Sequence, residues 1–163
     1  LRRHNLFQCF SVDDEQKYLD ISKNRLSNEL KKYTFFHYSK VKMTTFNNRI
    51  CNEYETLPLI NPDFIYIDGP DQTSSLGEVN GITTAHKDMM PMNCDILKIE
   101  HFLIPGTIIL MDGRTANARF LKNNFQRSWN YQYYSTSDHH LFYLDEEPLG
   151  KINQDIIDFY NEE

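Results

Sequence analysis

The side chains able to do chemistry gather around two copies of one short pattern, an apolar run that ends abruptly in Asp-Gly. The first copy is PDFIYIDGPD, Pro62 to Asp71, and the second is PGTIILMDGR, Pro105 to Arg114. Asp68 and Asp112 close the two runs, Asp71 and Arg114 follow them closely, and His86 lies in the loop beyond Asp68. Two carboxylates delivered by one construction, Asp68 and Asp112, with Asp71 close by, are a candidate binding site. They can also orient a hydroxyl that must lose its proton, a step for which an imidazole such as His86 is a suitable base. Arg114 offers a planar fork to an anionic substrate group, a carboxylate or a phosphate. The plain structural alternative is that each Asp only caps a turn or the helix after it. One construction occurring twice favours the functional reading.

Those residues need elements to place them. In each run, apolar or aromatic residues fill both faces, the pattern of a central parallel strand buried on both sides. Asp68 and Asp112 then stand at the carboxyl ends of two strands, the edge at which open α/β sheets bind ligands. A further strand over Asn5 to Val12 ends in Asp13-Asp14-Glu15, and the stripe Leu19, Leu26, Leu30 predicts a helix running to about Lys32. Asp13 or Asp14 serves either as the N-cap of that helix, with Gln16 completing a loose capping box, or as acceptor for the vicinal hydroxyls of a ribose.

Tyr33 to Tyr38 reads as a short strand, and Ser39 to Asn61 as a polar connection with one helical turn around Phe46 to Tyr54. The segment from Gly69 to Pro91 is a long loop holding three of the six glycines, and loops of that length are functional or disordered. Met92, Ile96, Ile99 and Leu103 predict one helix face, stopped by Pro105-Gly106, and Ala118, Leu121 and Phe125 mark another helix. Trp129 to Tyr134 and His140 to Leu144 are strands whose short separation makes them antiparallel neighbours. His139-His140 reads as the start of a strand and not as a metal pair. A last helix, with Ile152, Ile156 and Phe159 on one face, docks at the sheet edge.

Composition bounds the partners. The chain has 163 residues, 40% of them hydrophobic and 25% charged, which suits a single domain over residues 1–163. A net charge of −6, with no basic run beyond two residues, argues against nucleic acid and for a small-molecule partner. No apolar stretch approaches the ~20 residues of a membrane span, and no signal-peptide core opens the chain, so no membrane partner and a cytoplasmic location are expected. The three cysteines share no CxxC spacing and read as reduced, structural thiols.

Taken in chain order, FSVDDE, a helix, a strand, IDGPD, a helix, PGTIILMDG, a helix and a terminal hairpin resemble the class I S-adenosylmethionine-dependent methyltransferases, in particular O-methyltransferases of sugars and small alcohols. The resemblance covers nearly the whole chain from the family's second strand onward. It implies a Rossmann-like mixed sheet with helices on both faces, strand order 3-2-1-4-5-7-6, S-adenosylmethionine as cofactor, ribose contacts at Asp13 or Asp14, and acceptor or Mg²⁺ positioning at Asp68 and Asp112. In the family's metal-dependent branch a second carboxylate or amide follows the fifth strand; here Gly113-Arg114 stands there, leaving Asp71 to complete the set.

The family's first strand leads into a glycine-rich turn, and this chain has no glycine before Gly69. The expectation is therefore an N-terminally truncated chain with an incomplete cofactor site, in which the flanking strands close up or copies associate as a homo-oligomer through exposed strand edges. Two other readings stay open. Asp68 and Asp71 also suit a metal-dependent phosphohydrolase or nucleotide-sugar transferase, and a folded remnant or interaction module needs no cofactor.

Overall fold

The computed structural model describes residues 7–83 and 90–161, which form two compact units. The base candidate His86 lies outside the described residues. The first unit comprises the chain up to Leu59 together with Gly69–Pro91, and the second comprises Ile60–Asp68 and Met92 onward.

In the first unit, β1 (Cys9–Asp13) pairs in parallel with β2 (Thr34–Tyr38), Cys9 opposite Thr34 and Asp13 opposite Tyr38. A parallel pair requires a crossover, and α1 (Gln16–Arg25) provides it. The helix is shorter than its leucine stripe predicts: Leu26 is already extended, and Leu30 falls in a separate 3₁₀ turn, exposed. Ser27 is the physical cause, its hydroxyl accepting from the Leu30 amide at 3.3 Å and so opening a new turn.

The polar connection expected to carry a helical turn is instead a β-hairpin, β3 (Val41–Phe46) against β4 (Arg49–Tyr54). Asn47 and Asn48 both take left-handed backbone angles, φ 47° and 62°, as a two-residue hairpin turn demands, and Asn tolerates that region better than most residues. The alternation of buried Val41 and Met43 with exposed Lys42 was the strand signal. The loop after Asp68 returns to this hairpin, Leu76 exchanging backbone hydrogen bonds with Val41 and Met43 at 2.8 Å each.

The second unit carries β5 (Phe64–Ile67), β6 (Met92–Asn93), α2 (Asp95–Ile99), β7 (Ile108–Asp112), α3 (Thr115–Asn124), β8 (Trp129–Tyr134), β9 (His139–Leu144) and α4 (Lys151–Asn161). The helix expected from Met92 to Leu103 is α2 alone, followed by a 3₁₀ turn over Glu100–Phe102. Four strands form one sheet in the order β5-β7-β9-β8, with β5 and β7 parallel and β9 antiparallel to both its neighbours. The expected terminal hairpin is β8–β9, and β9 inserts between its hairpin partner and β7.

One face of this sheet is the core. Ile109, Met111, His140, Phe142 and Leu144 are fully buried on it, and Phe142 packs against Phe125 and Tyr131 at ring distances of 5.4 and 4.9 Å. The other face carries Phe64 and Tyr66, each 51% exposed, so β5 is not buried on both sides as its apolar run suggested. Phe and Tyr tolerate a half-exposed sheet position, and a run containing them does not report two-sided burial. Helix α4 docks through Asn153, Ile156 and Ile157, leaving Ile152 exposed. Its anchor is polar: Asn153 Nδ2 donates to the Pro105 carbonyl at 2.9 Å, and of the predicted stripe Ile156 is buried while Ile152 and Phe159 are exposed.

The architecture is thus mixed α/β, with parallel and antiparallel pairings distributed over several sheets where one continuous sheet was expected. Among the described residues β1 pairs only with β2 and β5 only with β7, so the expected closing-up of those two strands is not seen in the ladders. No described helix is long and apolar enough to cross a membrane.

Candidate functional site

The four-stranded sheet ends on one side in a cluster of polar side chains. This edge comprises the carboxyl ends of β5, β7 and β8 and the start of β9, because β9 alone runs the other way. Alternation then decides which side chains share a face. Asp112 lies opposite His139 in the ladder, and Tyr66 stands one pair further in on β5, all three on the sheet face opposite the core.

They meet in a row. Tyr66 Oη donates to Asp112 Oδ2 at 3.0 Å, and His139 Nε2 lies 3.8 Å from Asp112 Oδ1. Burial first, and then the hydrogen bond to Asp112, raise the Tyr66 phenol above its ordinary pKa, so it stays protonated and a donor. The side chains of His139 and Asp112 are 32% and 43% exposed, which leaves both open to a ligand.

Around the row the backbone is tied down. Arg114 Nε donates to the Asp68 carbonyl at 2.7 Å, joining the chain just beyond β7 to the end of β5. The Gly113 amide donates to the Asp138 carbonyl at 2.9 Å, with Gly113 at φ 60°, which only glycine adopts freely. Asp138 in turn accepts from Tyr133 Oη at 3.0 Å, and that bond, ahead of burial, raises the Tyr133 phenol. The carboxylate of Asp68 is exposed and has no hydrogen-bond partner among the described residues.

Beneath the edge, on the core face, His140 is fully buried. Its Nδ1 lies 2.9 Å from Tyr131 Oη, its Nε2 lies 3.0 Å from Thr115 Oγ1, and the Tyr133 ring stacks on it at 4.5 Å. Burial lowers its pKa, so the ring is neutral, donating through one nitrogen and accepting through the other. Thr115 opens α3, so this ring links the start of that helix to the β8–β9 hairpin.

The sequence-predicted residues divide between the units. Asp68, Asp112 and Arg114 come together at the edge just described. Asp13, Asp14 and Asp71 belong to the first unit, where Ser74 Oγ donates to Asp14 Oδ2 at 2.6 Å and contacts the Asp71 carbonyl at 3.4 Å. Asp13 Oδ1 accepts from the Glu15 amide at 2.8 Å, and burial raises its pKa. Neither Asp13 nor Asp14 is the residue capping α1, which is Glu15. Asp71 Oδ1 accepts from the amide and hydroxyl of Thr73 at 2.7 and 2.8 Å, the turn-forming bond Asp commonly makes. Among the described residues no group of three or more His, Cys, Asp and Glu side chains could hold a metal ion.

Tyr66 was not singled out by sequence reasoning, and His139 was read only as the start of a strand. The signal for His139 was its place at the head of a strand that returns antiparallel between its neighbours, which no local pattern encodes. No family model, curated protein or solved structure matches the chain.

Proposed function

We propose that the chain is an S-adenosylmethionine-dependent methyltransferase that moves a methyl group to a hydroxyl of a small molecule such as a sugar or phenol. The observation that carries this reading is the order β5-β7-β9-β8 with β9 alone reversed. It reproduces the 4-5-7-6 half of the order expected from the resemblance, including insertion of the last strand between two earlier ones. The parallel pair β1–β2 joined by α1 is what its 3-2 portion requires.

Within this reading, the acidic end of β1, Asp13 or Asp14, takes the ribose hydroxyls of the cofactor, and the edge bearing Asp68 and Asp112 receives the acceptor. The cofactor supplies an electrophilic methyl group. The protein residues orient the hydroxyl, relieve it of its proton and shield the exchange from water. The edges of β1 and β5 that pair with no further strand among the described residues also suit association between copies.

Thermal unfolding with two titrants tests the reading. A saturable rise in the midpoint with S-adenosylhomocysteine, and none with Mg²⁺ plus a nucleotide sugar, is the expected result. The opposite pattern assigns the edge to nucleotide-sugar transfer or phosphohydrolysis. No rise with either leaves a folded module without a cofactor.

A further inference from the structure

We propose that His139 is the proton acceptor of this edge, oriented by Asp112, whose other oxygen Tyr66 holds; the transfer step below rests on the methyltransferase reading, but the chemical reactivity of the imidazole does not. Three strands contribute one side chain each. Tyr66 comes from β5, Asp112 from β7 and His139 from β9, and the ladder places Asp112 directly opposite His139. Asp112 Oδ2 is occupied by the Tyr66 phenol at 3.0 Å, which fixes the carboxylate plane and leaves Oδ1 facing His139 Nε2 at 3.8 Å. Nε2 is the ring nitrogen that faces the carboxylate, so in the proposed arrangement it carries the hydrogen and Nδ1 keeps the lone pair.

The ring is partly open to solvent and makes no hydrogen bond to another side chain among the described residues. Its charged or titratable surroundings are Asp112 on the adjoining β7, Tyr66 on β5 beyond it, Asp138 and His140 on either side of it in sequence, and Tyr134 opposite it on β8. His140 is a contrast one residue away. Both of its nitrogens are engaged, and it is fully buried, so it cannot reach a ligand.

In the step this implies, the acceptor hydroxyl gives its proton to His139 Nδ1 as its oxygen forms a bond to the sulfonium methyl carbon. The carbon–sulfur bond breaks with its electron pair remaining on sulfur, which leaves as a neutral thioether, S-adenosylhomocysteine. The imidazolium then returns the proton to water. Asp112 Oδ1 faces that ring, and Tyr66 keeps the carboxylate in place.

The test is residue-resolved acylation of the full chain by diethylpyrocarbonate at pH 8, read by peptide mass spectrometry, alongside S-adenosylhomocysteine release with a panel of sugars and phenols. His139 is expected to react readily, and Asp112→Asn to slow it severalfold while exposed His101 in the same digest is unchanged. Buried His140 stays unmodified as long as the variant is folded; if it becomes reactive in Asp112→Asn, Asp112→Ser replaces that variant. A His139 rate indifferent to loss of the carboxylate overturns the proposal. Release of product falling about 100-fold in His139→Gln supports it, a loss typical for removal of a general base. Undiminished release in His139→Gln overturns the base and keeps the transferase. Absence of release from the unsubstituted chain, with the reactivity pattern intact, removes the transferase reading and keeps the activated imidazole.

Discussion

The two ends of the four-stranded sheet use polar groups in opposite ways. At the end where β8 begins and β9 finishes, a buried carboxylate, Glu100, accepts from the amides of Gln126 and Arg127 and from Trp129 Nε1 at 2.9–3.0 Å. The Arg127 guanidinium spans the carbonyls of Glu100 and Leu103 and pairs with Glu146. Fully buried Thr107 closes its turn onto the Ile104 carbonyl at 2.7 Å. At the opposite end, Asp112 has one hydrogen-bonding phenol and one imidazole at 3.8 Å, and Asp68 has no side-chain partner among the described residues. Saturated groups hold a structure together, whereas groups left with spare capacity and access to solvent are available to a ligand.

That contrast can be broken most forcefully at Glu100. Replacing Glu100 with Ala strands three N–H donors, while the Arg127 guanidinium keeps its bonds to the Glu100 and Leu103 carbonyls and to Glu146, and the expected cost is about 3 kcal/mol. Chemical denaturation followed by fluorescence of Trp129, the only tryptophan, measures it. Asp112→Asn, at the other end, should cost less than about 1 kcal/mol, as exposed pairs do. Equal losses would erase the distinction between a structural and a functional end.

Gly106 offers the next largest effect at the saturated end. Its φ of 87° is unfavourable for any side chain, and an added Cβ would stand 2.7 Å from Ile157 Cγ1 on α4. Gly106→Ala is expected to destabilise by about 2 kcal/mol, which left-handed strain alone nearly accounts for. A calorimetric midpoint unchanged by the substitution would show that neither the left-handed backbone nor the approach of Ile157 constrains this turn.

How much of this was legible follows from the range of the interactions. The strand and carboxylate at Asp68 and Asp112 could be read because apolar runs and Asp-Gly are local signals, and the β8–β9 hairpin followed from the short Ser135–Asp138 separation. The β3–β4 hairpin was encoded just as locally, in Asn47-Asn48 and the alternation before it, but mixed polar residues there obscured the period. The Glu100 network was not readable: its donors lie 26 to 29 residues away, and nothing near Glu100 distinguishes it from a surface acid. Tyr66 and His139 were hidden for the same reason. Their roles exist only once β5, β7 and β9 are placed side by side.

Acid separates the two ends without mutation. Burial depresses the His140 pKa below its ordinary 6.5, so the unfolded chain takes up a proton before the folded one does. Its contribution is complete above about that pH and is lost as pH falls through the lower, folded value. Glu146 is held below its ordinary 4.5 chiefly by the hydrogen bond from Arg127, so its contribution is complete above that value and is lost only at more acidic pH. Unfolding free energies measured from pH 8 to 4 should therefore fall first through His140, and His140→Gln should flatten the upper part of the curve. A decline confined to the region below 4.5 would mean that the ring under the functional edge does not resist protonation.

The smallest effect on stability is expected at Tyr66, and its smallness is the point. The phenol is half exposed, and its bond to Asp112 exchanges for one with water when the hydroxyl is removed, so Tyr66→Phe should change the unfolding free energy by no more than about 0.5 kcal/mol. The carboxylate it held, however, becomes free to rotate away from His139. If the row acts as a unit, Tyr66→Phe lowers the acylation rate of His139 in the direction of Asp112→Asn but by less, while leaving the fold untouched. A loss of stability comparable to that at Glu100 would instead make the Tyr66–Asp112 bond one more structural tie, and the two ends of the sheet would differ in exposure alone.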